Sequence, residues 1–190
     1  MGGEILRRQL RQTGLFSTRF GAVLAIAVLA AAALLAAYLE PAPDPVSGRA
    51  RASDGDSFRL GDQRIRLLGL DAPELSQTCT DAQAQEWPCG RAARDRMAAL
   101  LGSGAVKCQP KDTDRYQRLL AYCSIGGADL GQVMVSEGLA ISAGNYWTEE
   151  QAARASKLGI WRGDFDNPKS WRDDHPRGQG GFGLLSIFGL

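Results

Sequence analysis

The stretch RIRLLGLDAPE, residues 64–74, places one cation and two carboxylates where a buried strand should end. Arg66 interrupts an apolar run, and Asp71 and Glu74 stand on either side of Pro73. A buried charge is costly unless it is paired or holds an ion. These residues therefore form either a structural ion network or the wall of a site for a charged ligand. Pro73 disfavours a helical conformation at Ala72, so the chain is expected to leave the strand extended, with the Asp71 carboxylate and the Ala72 carbonyl facing outward. Two other stretches carry similar residue types. SDGDS supplies Asp54 and Asp56; DTDRYQRLLAY supplies Asp112, Asp114, Arg115, Tyr116 and Arg118.

Two carboxylates, a carbonyl and waters make a hard-oxygen site, suited to calcium or another hard divalent ion. Zinc is disfavoured, because there is no C-x-x-C and only one histidine, His175. A cation beside two guanidinium groups traps a phosphodiester, since each planar fork can bind two phosphate oxygens. The same groups stabilise charge developing on a pentacoordinate phosphate. Glu74, near the phosphate but off the metal, is placed to orient or deprotonate a water. The competing reading is structural: acidic residues are common at hairpin turns for backbone reasons, and Arg66 with Asp71 could be an ion pair.

Strand character at 49–53, 56–60 and 63–70 is separated by turns at Asp54-Gly55 and Gly61-Asp62. RAARDRMAALL, residues 91–101, spaces Ala93, Met97, Leu100 and Leu101 as one helical face. AVKC and RLLAYC read as two more strands. Asp129, with Gln132 behind it, caps a helix over Leu130, Val133 and Met134; Thr148 and Gln151 form a second capping pattern. This order predicts a mainly-β α+β domain, a five-stranded Greek-key barrel of the OB type with three helices. An open five-stranded sheet with helices on one face is the competitor.

Ahead of that domain, Arg7, Arg8, Arg11 and Arg19 precede an uncharged run at residues 20–39. Its 20 residues are enough for a transmembrane helix, and the basic flank predicts a cytoplasmic N-terminus with the domain exported. Cleavage as a signal peptide is the alternative, although LLAAYLEP offers no good small-x-small site. The expected organisation is a basic segment at 1–19, the membrane or signal helix at 20–39, a Pro-rich linker at 40–47, the domain at 48–175 and a Gly-rich apolar tail at 176–190. The tail is either an unstructured end or a segment that lies on a membrane or partner surface.

An even number of cysteines on the exported side suggests two disulfides. Cys79–Cys89 would close a short loop and Cys108–Cys123 would bridge a hairpin; free buried thiols are the alternative. His175 reads as solvent-exposed, and Trp87, Trp147, Trp161 and Trp171 as packing residues.

SDGDSFRL, QRIRLLGLDAPE, DTDRYQRLLAYC, DLGQVMVSEGLA and GIWRGDFDNP occur in that order. Together they resemble the staphylococcal nuclease-like (thermonuclease) family across about residues 46–172. The resemblance implies calcium-dependent hydrolysis of DNA or RNA, breaking the bond to the 5′ oxygen and leaving a 3′-phosphate. It further implies Asp56 and Asp71 as carboxylate ligands of one Ca2+ with the Ala72 carbonyl beside them, Glu74 as general base, and Arg66 and Arg118 as phosphate clamps. Arg115 and Tyr116 match positions that contact a terminal phosphate, and Tyr146 an aromatic near the base. Membrane association would come through residues 20–39, and no protein partner is implied.

Two departures stand out. Ser57 replaces the usual threonine but keeps the hydroxyl, and Gln117 replaces a glycine in D-x-Y-G-R, where the turn could need a positive φ. From Ser47 onward there are 18 Lys+Arg and 18 Asp+Glu, so the exported part is neutral. Affinity for nucleic acid should then be weak and strongly salt-dependent. Other readings of the same fold are a non-catalytic nucleic-acid-binding module and a membrane scaffold whose acidic cluster is structural.

Overall fold

The computed structural model describes residues 4–38 and 44–176, with side chains described from residue 20 onward except at residue 37. The chain divides into two compact units, residues 1–42 and 43–190. In the first, helix α1 (Glu4–Tyr38) contains residues 20–38 of the apolar run, and large side chains there, among them Phe20, Ile26, Leu29 and Leu34, are exposed. Among the described residues no helix is long and apolar enough to cross a membrane, so the expected crossing at 20–39 is not found there. The tail from residue 177 lies outside the described residues.

The second unit is built on a mainly-β, barrel-like sheet. Strands β1 (Val46–Gly48) and β2 (Ala50–Ala52) are consecutive pieces of one extended segment. They are followed by β3 (Ser57–Leu60), β4 (Gln63–Leu67), β5 (Leu70–Asp71), β6 (Cys79–Thr80), β7 (Glu86–Trp87), β8 (Val106–Thr113), β9 (Leu119–Ile125), β10 (Ala128–Asp129) and β11 (Ile141–Ser142). The main sheet runs β1-β8-β9-β4-β3-β2, so its two ends are the adjacent pieces β1 and β2. That closes five strands on themselves and favours the barrel over the open sheet. β4 and β9 pair in parallel, Arg66 opposite Leu120, and the other pairs of this sheet are antiparallel. This order fits an OB-type barrel.

Alternation along the strands sorts side chains to two faces. Ile65 and Leu67 of β4, with Ala121 and Cys123 of β9, point into a core shared with Phe58, Val106, Met97, Leu130 and Met134. Helix α2 (Cys89–Gly102) supplies Ala93, Met97 and Leu101, all three from the face expected at 91–101. Helix α3 (Leu130–Ser136) starts at the expected cap, where the Asp129 carboxylate accepts from the Gln132 N–H at 3.0 Å. Helix α4 (Trp147–Ala155) begins before Thr148, which therefore sits inside it and is not its cap. Two further elements have no counterpart in the sequence reading: a single 3-10 turn at Gly159–Arg162 and helix α5 (Pro168–Asp174), capped by Asn167 and opened by Pro168. The described helices of this unit are thus four rather than three.

Both disulfides form as expected. Cys108 and Cys123 face each other directly across β8 and β9, and Cys79–Cys89 joins the β6–β7 hairpin to the start of α2. The second bridge packs on Ile160 with Trp87, Trp161 and Phe165 around it, as expected for packing tryptophans. Trp147 departs from that expectation, being exposed at the head of α4. His175 is exposed and stacks on Trp171.

The β8–β9 turn is built around Asp114. Its carboxylate accepts from the N–H groups of Tyr116 and Arg118, and its own N–H donates to the Arg118 carbonyl. Gln117 takes the residue position that requires φ of 60°, the left-handed region a glycine occupies without strain. Gln117→Gly is therefore expected to stabilise the protein by about 1 kcal/mol, read as a higher urea midpoint at unchanged slope. A lower midpoint would show that the turn is not strained.

Candidate functional site

Asp56 sits at the head of β3, one residue past the Asp54-Gly55 turn, and its carbonyl accepts from the Leu67 N–H at 2.9 Å. Gly55 is required by closeness: a Cβ there would meet the Cβ atoms of Ala72 and Ala93 at 2.7 and 2.8 Å. Asp71 lies in β5, opposite Ile141 of β11. The chain then turns at Pro73, and the Ala72 N–H points back to Asp56 Oδ2 at 3.3 Å. A second close approach braces Glu74: the first turn of α2 is pressed against it, leaving no room for a Cβ at Gly90.

Arg66, on the outward face of β4, binds both carboxylates. Its Nη2 lies 2.7 Å from Asp71 Oδ1 and 3.1 Å from Asp56 Oδ2, and its Nη1 donates to Asp56 Oδ1 at 3.3 Å. Arg172 of α5 approaches from the other side. It donates to Asp71 Oδ1 at 3.0 Å, to Asp71 Oδ2 at 2.8 Å and to Glu74 Oε1 at 3.1 Å. The structure thus brings together Asp56, Arg66, Asp71, Ala72 and Glu74, and adds Arg172, which lies 101 residues from Asp71 in sequence. Gln77 was also unforeseen. Fully buried, it accepts from the Glu74 N–H at 3.1 Å and donates to the Asp166 carbonyl at 2.6 Å, fastening the Glu74 turn to the segment that leads into α5. Its one sequence signal is its place three residues after Glu74.

Arg118 is held at the β8–β9 turn. Its Nε and Nη2 hold Asp114 Oδ2 at 2.8 and 2.7 Å. It stands just before β9, two residues ahead of Leu120, the partner of Arg66, so continued alternation from that strand puts Arg118 on the face that Arg66 takes. Arg115 lies over the Tyr116 ring and donates to its hydroxyl at 2.7 Å, and Arg64 donates to the Tyr116 carbonyl. Tyr116 is exposed. Tyr146 is a correction: it is a core residue, 8% exposed. Its hydroxyl donates to Asp129 at 3.0 Å and its ring fills the space beside Gly131, leaving little surface for a base. Asp112 lies in β8, its carboxylate on the Thr113 N–H.

The electrostatics single out Asp56. Burial pushes its carboxyl up to about 7; Arg66 and the Ala72 N–H pull it down, while Asp54 and Asp71 raise it further. The net upward shift means that the neighbouring positive charge does not offset burial. Burial works against the charge on Arg66, but Asp56 and Asp71 outweigh it and hold the guanidinium charged. The hydrogen bonds that Arg172 donates to Asp71 are the main reason that its guanidinium is raised too. At Asp114 desolvation is outweighed by hydrogen bonds from Arg118 and Tyr116, and its carboxyl lies below the usual range. Among the described residues no group of three or more His, Cys, Asp and Glu side chains forms a metal cluster. The donors at hand are two carboxylates, with backbone oxygens and water to complete a shell. That set, with a buried carboxylate short of positive charge, suits a hard divalent ion in kind.

Residues 64–163 match the family described as Staphylococcal nuclease homologue. The chain is 32% identical over 157 residues to the Succinoglycan biosynthesis protein ExoI of Rhizobium meliloti (strain 1021), covering 78% of each chain. It is 30% identical over 128 residues to the Endonuclease YncB of Bacillus subtilis (strain 168), covering 58% of this chain and 59% of that one. A third relative, an uncharacterized endonuclease of Escherichia coli O157:H7, is 31% identical over 132 residues, covering 64% of this chain and 79% of its own.

The Asp56 shift gives a signed expectation. Unfolded, this carboxyl ionises near 3.8; folded and without metal, it keeps its proton up to about 7. Between those values the folded state holds a proton that the unfolded state has released, so this group lowers stability as pH rises through the window. Asp56→Asn removes the effect. In chelator, the melting temperature of the variant relative to wild type should rise between about pH 4 and pH 7. A difference independent of pH would contradict the assignment.

Proposed function

The chain belongs to the staphylococcal nuclease family, and from that premise we propose that it is a calcium-dependent nuclease on an OB-fold barrel, hydrolysing phosphodiester bonds of DNA, RNA or both. The observation that carries the proposal is the convergence of Asp56, Arg66, Asp71 and Glu74 at one strand end, with Arg118 on the same face. Asp56 and Asp71, with the Ala72 carbonyl, would hold the Ca2+. When bound, the ion supplies positive charge against the phosphate oxygens.

The remaining work falls to side chains. Arg66 and Arg118 bind non-bridging phosphate oxygens through their planar forks. The charge that grows on those oxygens as water adds to phosphorus is stabilised by the same forks. Glu74 takes a proton from the attacking water; the bond to the 5′ oxygen breaks, and that oxygen takes a proton from solvent water as it leaves. Arg115 and Tyr116 are suited to a terminal phosphate at the exposed β8–β9 turn. The neutral charge balance from Ser47 onward favours weak, salt-sensitive substrate binding.

We further propose that the domain, residues 48–175, is exported and held at a membrane by α1. Support comes from the uncharged run at 20–39 behind four arginines and from the exposed apolar side chains of that helix.

Of single-stranded DNA, double-stranded DNA and RNA, at least one should be cleaved with calcium and none with chelator. Glu74→Gln and Arg118→Ala should each lower the rate about a hundredfold or more, as expected for loss of a general base or a charge-stabilising donor. A folded, oxidised protein that binds nucleic acid without cleaving it would instead be a binding module. For the tether, the full chain should sediment with membranes and resist carbonate extraction, and removal of residues 20–39 should release it. Release of the unaltered full chain by carbonate would argue against an anchored state.

A further inference from the structure

The residues matched to the family end at 163, yet an arginine beyond that limit reaches into the acidic cluster. We propose that Arg172 is a built-in counter-cation, which a divalent ion must displace from Asp71 and Glu74, so that binding of the ion loosens α5. The proposal rests on the reading of Asp56 and Asp71 as ligands.

Occupancy carries the argument. Asp71 Oδ2 accepts from Arg172 at 2.8 Å, and Oδ1 accepts from Arg172 at 3.0 Å and from Arg66 at 2.7 Å. Both Asp71 oxygens are thus committed to guanidinium groups. A third contact takes Glu74 Oε1. An ion that used an Asp71 oxygen would sit within a few ångströms of the Arg172 guanidinium, and the two positive charges repel most strongly where water is scarce. Arg66 can stay when Arg172 leaves, because it keeps Asp56. Arg172 is the more accessible of the two: it comes from the short helix α5 and not from the barrel, and its side chain is 33% exposed against 20% for Arg66.

Helix α5 is built to release one end. Its N-terminal side is fixed: Pro168 is fully buried, Asn167 caps the helix, and Asp166 accepts from buried Gln77. Past Arg172, Asp173, Asp174 and His175 are exposed. The Arg172 side chain can therefore swing out with the last turn while the first turn stays docked. Gln77 also accepts from the Glu74 N–H, so the position of α5 and that of Glu74 are linked by one side chain.

The test uses the full chain in mild detergent. Calcium is titrated calorimetrically into wild type, Arg172→Ala and Arg172→Lys, and amide exchange is followed across residues 164–175 with and without calcium. Arg172→Ala should bind calcium about tenfold more tightly, with Arg172→Lys in between. In wild type, calcium should speed exchange at the last turn of α5. Equal or weaker calcium affinity in a folded Arg172→Ala overturns the proposal and leaves Arg172 as a brace. So does exchange that calcium leaves unchanged or slows, and this measurement decides alone if the alanine variant does not fold. If neither wild type nor Arg172→Ala binds calcium, the ligand reading itself fails and takes this proposal with it.

Discussion

The structure depends on keeping two buried carboxylates, Asp56 and Asp71, beside the guanidinium of Arg66. A carboxylate removed from water needs a partner, and one guanidinium serving two carboxylates satisfies neither fully. That shortage appears at Asp56, whose carboxyl is pushed up to about 7 even though Arg66 touches both of its oxygens. For folding alone such an arrangement is a poor choice, since apolar residues of similar size would pack there at no electrostatic cost. It becomes reasonable where a further cation arrives. Arg172 supplies one such cation from within the chain, and a divalent ion would supply more charge in less space.

Everything near these carboxylates serves to fix their separation. Asp56 immediately precedes β3, whose Ser57 pairs with Arg66 of β4, and Arg66 is tied through Leu120 to the parallel strand β9. The barrel is closed by the β1–β2 segment and pinned across β8 and β9 by Cys108–Cys123. Helix α2 then approaches so closely that Gly55 and Gly90 admit no side chain. The Cys79–Cys89 bridge holds the start of that helix against the loop that follows Glu74. A shift of α2 would therefore move both the Asp54-Gly55 turn and the Glu74 turn, and with them the spacing of the cluster.

What was legible in the sequence was local. Arg66, Asp71 and Glu74 lie within one strand end, so a charge inside an apolar run revealed them, and Asp56 followed from its turn. The cysteine pairs could be read because each closes a short span. Arg172 could not be found in this way, because nothing near it in sequence marks it; only the docking of α5 brings it to Asp71. Gln77 is similar: its function is to join Glu74 to Asp166, a link across 89 residues that no spacing rule contains. Tyr146 was misplaced for a related reason. An aromatic with a polar tip suits a base-binding wall or a core position with a buried acceptor, and the acceptor, Asp129, is 17 residues away on another element. Thr148 satisfied a capping pattern, but the helix began a residue earlier at Trp147.

The two arginines on the shared face differ in which edge they present. Arg118 gives Nε and Nη2 to a single carboxylate oxygen of Asp114, within its own turn. The planar guanidinium is then oriented with its Nη1 side turned from Asp114, and its remaining donors can meet a phosphate without breaking that contact. Arg66 commits both terminal nitrogens to Asp56 and Asp71. A phosphate can bind it only by sharing donors with those carboxylates, and sharing becomes easier as they turn toward a cation. On the proposed reading, Arg118 would be ready before an ion arrives, whereas Arg66 would gain strength as a phosphate ligand once the carboxylates had another partner.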